Sequence, residues 1–326
     1  MTASASIDVL GIGNAIVDVL ARTDDEFLSL NRLAKGGMAL IDAERAEALY
    51  RAMQGGVEVS GGSCANTMVG VASLGGKAAY IGKVRDDGLG WTFRHDIRSA
   101  GVAFDTAAAT DGPPTARCLI FVTPDAQRTM NTYLGACVTL GPADVDAKLV
   151  ASAAVTYIEG YLWDAPDAKA AVRKAMDAAR AAGRKVSLTL SDSFCVDRWR
   201  DEFRALLREK VDVLFANESE ILSLYQAKTF DEALQGVRHD GKTAALTRSA
   251  KGSVVVSGDE VHVVDAAKVS KVVDTTGAGD LYAAGFLYGF TRGLKLAECA
   301  RIGGAAAGEV ISHFGARPET PLKTLL

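Results

Sequence analysis

The sequence predicts a three-layer α/β/α fold with a mostly parallel sheet and a small additional β-layer. From about residue 149 onward, short apolar runs alternate with amphipathic helical segments, which is typical of βαβ units. The 326 residues contain no repeat, low-complexity block or polar linker, so we expect one domain over 1–326. Apolar residues make up 48% of the chain and charged residues 23%, as in ordinary globular proteins.

The elements of the second half follow one another in regular alternation. Asp164-Ala165-Pro166 starts a helix that Gly183 ends, and KVSLTLS follows as a strand. The alternation then continues through a helix (DRWRDEFRALLREK), a strand (VDVLFAN), a helix (FDEALQGV) and a strand (TAALT). SVVVSGDEVHVV has two β-rich runs around Gly258-Asp259, which predicts an antiparallel hairpin at the edge of the sheet.

The first half is less regular. IDVLGIGN predicts a buried strand, and DAERAEALYRAMQ and DGLGWTFRHDIRSAG predict helices with Asp caps and Gly stops. TARCLIFVT followed by QRTMNTYL predicts a hairpin. We therefore expect residues of about 16–60 and 103–134 to form a small β-layer that serves as a lid.

Charge and cysteine content exclude several function classes. With 36 basic and 40 acidic side chains, the formal charge of −4 does not favour a nucleic-acid or membrane partner. The N-terminal residues lack the pattern of a signal peptide, so we expect a cytoplasmic protein. The odd cysteine number and absence of a CxxC predict neither disulfides nor a zinc site; the cysteines are Cys64, Cys118, Cys137, Cys195 and Cys299.

Two glycine motifs lack the structural context that their chemistry requires. Residues 236–243 match GxxxxGK[ST], but a predicted helix precedes them and a strand follows, which reverses the order of a phosphate-binding P-loop. Gly11-Ile12-Gly13 follows a strand, yet Ile16 stands where a dinucleotide fingerprint has its third glycine. Neither motif predicts a nucleotide site.

DTTGAGD at residues 274–280 is the strongest functional signal. It lies between KVVD, which predicts a strand, and LYAAGFLYGF, which has helical length. At a helix start, the amides of Gly277, Ala278 and Gly279 can point at an anion. Asp280 at such a site suits a general base that takes a proton from a hydroxyl. Taken alone, Asp280 could equally cap the helix and the glycines could only shape the turn.

DTTGAGD resembles the C-terminal signature of the ribokinase-like (PfkB) family of sugar and nucleoside kinases. GGSCANTMVGVASLGGKAAYIGKVRDDGLG, at residues 61–90, resembles the family's N-terminal signature. The two stand in the right order, and the resemblance covers nearly the whole chain. It implies the ribokinase-like fold, a Rossmann-like three-layer arrangement with a β-lid.

The resemblance implies transfer of the γ-phosphoryl of ATP to a hydroxyl. Asp280 matches the catalytic base, and the amides from Thr276 to Gly279, with Gly277 and Ala278 between them, match the anion hole. Asn217 and Glu220 match an NxxE element that organises Mg²⁺ through water; an acidic helix start is the alternative. Asp274 and Thr275 match positions that bind a monovalent cation, usually K⁺, in many members.

Further matches concern the acceptor and the nucleotide. Positions that hydrogen-bond the acceptor's hydroxyls correspond to Asn14, Asp18, Gly62, Ser63 and Asn66. Arg128 resembles an arginine that reaches the phosphates from the lid in adenosine kinases; an exposed lid arginine is the alternative. Thr247 and Gly252 match a nucleotide-contacting TxGxxG in which Ser249 replaces the first glycine. His313 lies in a segment resembling the wall around the ATP base, or else pairs with a helix end.

The acceptor is the main open choice. GNAIVD, and Arg128 followed by NTYLGA, look more like adenosine kinases than ribokinases, which favours adenosine or a related purine nucleoside over ribose or fructose. Lid residues that could wall the base are Phe27, Met38, Met130 and Tyr133. A non-catalytic binding protein and an NAD oxidoreductase are alternatives that Asp280 and Ile16, respectively, disfavour. The resemblance allows a monomer or a homodimer.

Overall fold

The computed structural model describes residues 5–125 and 127–326. In these residues the strands β1 to β14 are Ile7–Ile12, Ile16–Arg22, Met38–Leu40, Val57–Gly61, Ala78–Ile81, Val102–Ala103, Ala116–Val122, Arg128–Tyr133, Ala153–Glu159, Lys185–Thr189, Val213–Asn217, Thr243–Thr247, Ser253–Ser257 and Glu260–Val264. The helices α1 to α11 are Asp25–Leu30, Ala43–Ala52, Ser63–Ser73, Gly88–Ser99, Ala147–Ser152, Pro166–Ala181, Ser193–Glu209, Glu218–Tyr225, Phe230–His239, Ala278–Thr291 and Leu296–Val310.

The large sheet has the strand order β14-β13-β12-β11-β10-β9-β1-β5-β6. Its strands run in one direction except for β13, which is antiparallel to both β12 and β14; β13 and β14 form the predicted antiparallel hairpin at one edge. Successive residues face opposite layers: Leu214 packs in the core that includes Val172 of α6 and Phe203 of α7. Phe215 packs in the core that includes Met68 of α3 and Phe286 of α10. Helices thus cover both faces, which confirms the predicted three-layer fold.

The small sheet has the order β3-β8-β7-β2-β4, and β7 with β8 is the predicted hairpin. One face is packed, because Val17, Val19 and Leu119 share a core with Leu28 of α1 and Leu49 of α2. Side chains alternate along strands, so the other face carries a second set. We call it the open face; the register joins Asp18, Cys118, Thr132 and Leu40 in one row and Leu20, Ile120, Met130 and Met38 in the next, with Arg128 beyond them.

Two local predictions were wrong. KVVD is not a strand: residues 265–277 form a loop, in which the amide of Val273 donates to Ile311 O (2.8 Å) beyond the end of α11. Its β-branched residues therefore follow a helix end rather than a neighbouring strand. The helix expected from Asp197 is preceded by a further helical turn that begins at Ser193, where the carboxylate of Asp192 accepts from Phe194 N (3.1 Å), and α7 is kinked at Trp199, whose φ is −123°.

The rejected glycine motifs have the structures expected of them. Gly236 lies inside α9, and β12 follows at Thr243, so the phosphate-binding order is indeed reversed. Ile16 begins a strand instead of a helix. In the described part of the chain, no helix is long and apolar enough to cross a membrane.

Candidate active site

The DTTGAGD segment forms a turn that leads directly into α10. Gly277 is the residue before the helix and has φ of +78°, a conformation that side chains disfavour. A Cβ on Gly277 would lie 2.8 Å from Ala316 Cβ, whereas a Cβ on Gly279 would meet nothing within 4 Å. Thr276 N donates to Asp274 Oδ1 (3.0 Å) and Ala278 N donates to Thr275 O (3.2 Å), so the amides of Gly277 and Gly279 are the ones that can face an anion at the positive end of the helix dipole.

Asp280, in the first turn of α10, is held by two residues of the N-terminal signature. Ser63 Oγ donates to its Oδ1 (2.6 Å) and Asn66 Nδ2 donates to its Oδ2 (3.0 Å). Burial raises the pKa of Asp280, while these two hydrogen bonds and the charge of Arg317 oppose that rise. Both predicted signatures thus meet in one site, although they are separated by more than 200 residues.

Asp18 reaches the same site from the open face of the small sheet. Burial raises the pKa of Asp18 to about 6; Arg317 and Arg128 act against that rise, and the charge of Asp280 adds to it. Gly61 is required beside it, because a Cβ there would overlap the Asp18 carboxylate. Gly62 has φ of +92°, and a Cβ on it would overlap the carbonyl oxygen of Asn14. The glycine pair therefore lets β4 pass close to both predicted acceptor residues.

Asn14 is oriented by a residue that the sequence did not single out, Glu159. Asn14 Nδ2 donates to Glu159 Oε1 (3.1 Å), and the amide of Cys64 donates to Oε2 (3.0 Å). Burial of this carboxyl, which is 1% exposed, raises its pKa to about 7. Its position at the carboxyl end of β9 was the available signal, since sites in parallel sheets gather there. Asn66 Oδ1 is buried and has no hydrogen-bond partner among the described residues.

Arg128 crosses from the small sheet to the DTTGAGD turn. Its Nη1 lies 2.7 Å from Asp274 Oδ2 and donates to Thr276 Oγ1 (2.7 Å). Its side chain is only 8% exposed, so the alternative of an exposed lid arginine is wrong. Nε and Nη2 are buried and have no partner among the residues described. A guanidinium with two unused donors beside an anion loop is suited to a phosphoryl group.

Asp274 is already well coordinated by protein groups. Its Oδ1 accepts from Thr276 N (3.0 Å) and its Oδ2 from Gly315 N (3.0 Å), in addition to the ion pair with Arg128. Thr275 is exposed. The carboxylate that the resemblance assigned to a monovalent cation therefore has a protein cation next to it.

A cavity of about 280 Å³ lies on the other side of Asp280. It is lined by residues from six parts of the chain: Ser63; Tyr161; Thr189 and Ser191; Phe215, Ala216, Asn217 and Glu220; Ala245 and Thr247; and Gly279, Asp280 and Tyr282. The sequence-based candidates Asn217, Glu220 and Thr247 are thus brought to the anion loop, whereas Tyr161, Thr189 and Ser191 were missed. Ser191 has φ of +70°, a strained backbone of the kind found at functional sites.

Asn217 and Glu220 form a reciprocal cap at the start of α8. Asn217 Nδ2 donates to Glu220 Oε1 (2.6 Å), and Glu220 N donates to Asn217 Oδ1 (2.9 Å). Burial raises the pKa of Glu220 to about 7. In the described chain, no group of three or more His, Cys, Asp or Glu could hold a metal directly. One carboxylate among hydroxyl and amide oxygens fits Mg²⁺ that keeps its waters and is held through them and phosphates.

The altered TRSAKGS loop keeps the bend that glycines allow. Ser249 takes the left-handed conformation itself, with φ of +51°; Gly252 has φ of +79°, and a Cβ on it would also overlap Val264 O. Arg248 pairs with Glu218 (3.1 Å) and lies 3.9 Å from the Phe230 ring centroid. Ser249 therefore accepts backbone strain in place of glycine.

Three candidates lie apart from this arrangement. His313 Nε2 is 3.2 Å from Glu309 Oε2 at the end of α11, and His313 does not line the cavity that the described residues form. Phe27 packs at a tilt of 41° against Phe121 (5.0 Å between centroids), which belongs to the packed face, so it cannot wall a ligand on the open face. Tyr133 pairs in register with Arg117 and also projects away from the open face, whereas Met38 and Met130 lie on it.

The ribokinase-like fold, the anion loop and the adjacent Asp280 together define a class of enzyme, the kinases that phosphorylate a hydroxyl group of a small molecule. The sequence matches the family described as pfkB family carbohydrate kinase over residues 31–323. The chain therefore belongs to the pfkB family of sugar and nucleoside kinases, whose phosphoryl donor is ATP.

Two solved structures and one further relative match almost the whole chain. Adenosine kinase from Sinorhizobium meliloti is 57% identical, with a TM-score of 0.91 and 98% of each chain covered. A probable sugar kinase from Rhizobium etli is 55% identical, with a TM-score of 0.92 and the same coverage. Adenosine kinase from Saccharomyces cerevisiae is 29% identical over 93% of this chain and 94% of its own. The chain is similar to each of these proteins along its full length.

Proposed function

We propose that the protein transfers the γ-phosphoryl group of ATP to the 5′-hydroxyl of a purine nucleoside, with adenosine as the preferred acceptor. The observation that carries the proposal is a pair of partly buried carboxylates: Asp280 at the anion loop and Asp18 on the open face, close enough that the charge of Asp280 raises the pKa of Asp18. In the proposal, Asp280 takes the proton and Asp18 binds the acceptor.

In the proposed reaction, Asp280 takes the proton of the acceptor hydroxyl as its oxygen attacks the γ-phosphorus and ADP leaves. Ser63 and Asn66 each occupy one Asp280 oxygen and fix the direction of its remaining lone pairs. The amides at Gly277 and Gly279 and the unused donors of Arg128 stabilise the charge on the transferred group.

The nucleotide would occupy the cavity beside Asp280. Mg²⁺, when bound with ATP, neutralises phosphate charge. Glu220 and Asn217 would hold the hydrated ion, since both line that cavity. Thr247 and Gly252 would shape the edge of the nucleotide site. The role of His313 near the ATP base, which the resemblance implies, stays a prediction.

The open face supports a nucleoside over a free sugar. The row beyond Asp18 is apolar, with Leu20, Ile120, Met130 and Met38 in register. A carboxylate suits vicinal ribose hydroxyls, and an apolar surface suits a purine ring. A free sugar has hydroxyls all round and would leave them unpaired on this surface. We therefore propose that the small sheet acts as the lid over the nucleoside.

The second candidate is a sugar kinase. It is favoured by the similarity to the Rhizobium etli protein and by the buried amides of Asn14 and Asn66, which could hold further hydroxyls. The chemistry at Asp280 would be the same. In either case we propose a cytoplasmic monomer or homodimer that has no nucleic-acid or membrane partner.

The test measures ADP release and phosphorylated product with Mg-ATP and adenosine, guanosine, inosine, cytidine, ribose or fructose. Asp280→Asn is compared with Asp111→Asn, an exposed aspartate outside the site. We expect phosphorylation of adenosine at the highest kcat/KM, with kcat reduced about 10²- to 10⁴-fold only in Asp280→Asn, as for loss of a general base. Turnover of free sugars alone would support the second candidate, and full activity of Asp280→Asn would refute the assigned base.

A further inference from the structure

We propose that Arg317 is a positioning residue that clamps the Gly61-Gly62 turn and keeps a fixed positive charge beside Asp18 and Asp280. This inference rests on the proposed function for its kinetic test, but its geometry does not. Arg317 follows α11 near the end of the chain, outside both family signatures, and the sequence did not single it out.

The guanidinium spans the junction between the two sheets. Its Nε donates to Ser60 O (3.0 Å) and its Nη1 to Ala65 O (3.1 Å), while Nη2 donates to Ser60 Oγ (2.9 Å) and also to Ser60 O. Ser60 belongs to β4 of the small sheet, and Ala65 belongs to the first turn of α3. One side chain therefore fixes the residues on both sides of the glycine pair.

The clamped segment carries the residues that hold the base. Between Ser60 and Ala65 the chain turns through Gly61 and Gly62, where no side chain is available to restrict the backbone. The same turn of α3 presents Ser63 and Asn66 to Asp280. Movement of the α3 start relative to β4 would change both hydrogen bonds at once. Arg317 thus positions the base through groups that contact it.

The charge of Arg317 has a second effect. It lowers the pKa of both Asp18 and Asp280, against the rise caused by burial. Burial lowers the pKa of Arg317 itself to about 10, so the guanidinium keeps its charge at neutral pH. Arg128 also acts on Asp18, and Asp96 and Tyr80 act on Arg317. The charge of Asp280 in turn raises the pKa values of Glu159, Glu220, Cys64, Tyr157 and Tyr161, and the charge of Asp18 raises that of Cys118.

Asp96 of α4 is linked to Arg317 through Ser60 rather than through a direct ion pair. It accepts from Ser60 N (2.8 Å) and Ser60 Oγ (2.5 Å), so it holds Ser60 and does not contact the guanidinium directly. If Arg317 had only a structural role, replacing it would change the stability of this junction but not the pKa values of Asp18 and Asp280. The pH dependence of catalysis therefore separates the two roles.

The experiment compares Arg317→Met, Arg317→Lys and, as a matched control, Arg301→Met, which changes an exposed arginine of α11. The pH profile of kcat/KM is measured with whichever acceptor the parent enzyme uses best. For Arg317→Met we expect about a tenfold lower kcat/KM at pH 7.5, as for a misplaced base. The acidic limb should move up by about one pH unit, because loss of a nearby cation raises carboxylate pKa values.

Arg317→Lys keeps the positive charge but loses the planar, forked set of hydrogen-bond donors of the guanidinium. We expect the acidic limb of the Arg317→Lys pH profile to coincide with that of the parent, whereas its rate is still reduced. Arg301→Met should match the parent in both the acidic limb and the rate. An acidic limb of Arg317→Met that coincides with the parent, in a protein with a normal thermal melt, would overturn the electrostatic role. If Arg317→Met does not fold, Arg317→Lys at the full parental rate would overturn the clamp.

A readout without turnover keeps this inference separate from the proposed function. Carboxyl ¹³C NMR of aspartate-labelled protein follows the titration of Asp18 and Asp280, assigned by their Asn variants, and needs no acceptor. We expect both to titrate at higher pH in Arg317→Met than in the parent. Unchanged titration would overturn the inference even if the parent phosphorylates no compound in the panel.

Discussion

The large and small sheets differ in how many of their faces are covered. The large sheet is buried on both sides, so its strands are continuous apolar runs such as Val213 to Ala216. The small sheet is packed on one side only, and its open face mixes apolar residues with Asp18 and Arg128. The comparison teaches that stability is concentrated where both faces are packed, whereas specificity is concentrated on the face left open.

The largest expected difference is in unfolding free energy, between substitutions on the packed face and on the open face of the small sheet. Leu119→Ala on the packed face removes a fully buried side chain and should cost about 2–5 kcal/mol of unfolding free energy. Leu40→Ala on the open face, where the residue is 60% exposed, should change it by less than about 0.5 kcal/mol. Urea unfolding measures both. Equal losses would mean that the open face is also packed in solution.

The next prediction compares the roles of Asp18 and Asp280. Asp18→Asn removes a charged acceptor of hydroxyl protons and should raise the acceptor KM about 10- to 100-fold, because such hydrogen bonds contribute roughly 1.5–3 kcal/mol. The change in kcat should be smaller, in contrast to Asp280→Asn. Steady-state kinetics with Asp111→Asn as control measure this split. A fall in kcat with unchanged KM would instead place Asp18 in the chemical step.

As the pH rises, ionisation of the site carboxyls should increase activity but decrease the stability of the folded protein. Asp18 accepts hydroxyl protons from the acceptor when it is ionised, and its pKa is raised to about 6, so kcat/KM should fall as the pH drops below that value; the raised pKa of the base Asp280 acts in the same direction. The pKa values of Glu159 and Glu220, raised to about 7, act on stability in the opposite direction. A raised folded-state pKa stabilises the native state at low pH, and that contribution is lost as pH rises through about 7.

Thermal melting of the ligand-free protein between pH 5 and 8 tests the second half of this prediction. The contribution of the site carboxyls should fall with pH, and Glu159→Gln should flatten the slope over that range. A slope that is unchanged in Glu159→Gln would show that this carboxyl titrates normally in the folded protein.

The smallest expected effect concerns monovalent cations. Arg128 already provides a positive charge 2.7 Å from Asp274, so replacing K⁺ by tetramethylammonium should change kcat/KM less than about twofold. The family resemblance suggested a K⁺ site at Asp274 and Thr275, and activity measured at constant ionic strength decides between the two. A tenfold dependence on K⁺ would support the cation site.

The sequence predicted what local patterns determine. Apolar runs predicted the strands of the large sheet, and glycine next to Asp280 at a helix start predicted the anion loop. KVVD failed because β-branched residues favour a strand only where a neighbouring strand is available, and here a helix end takes that place. Phe27 failed because its face depends on how α1 packs on the small sheet.

Glu159 and Arg317 could not be found from local patterns. Each contacts residues far away in the chain: Glu159 holds Asn14 across 145 residues, and Arg317 holds Ser60 across 257 residues. A single glutamate after a strand and a single arginine near the C-terminus carry no periodicity or motif. Their roles become visible only when the fold brings the two sheets together.

The pairing of β2 with β7 also limits how this protein can be recombined with its relatives. These parallel strands match residue for residue from Ile16 to Arg22 and from Ala116 to Val122, while the residues between them include α3, β5, α4 and β6 of the larger body. The small sheet is therefore not a module that one crossover can exchange. A chimera that inherits β2 from one parent and β7 from another receives an acceptor surface whose halves were selected separately. Transfer of acceptor preference between relatives requires both segments to be exchanged together.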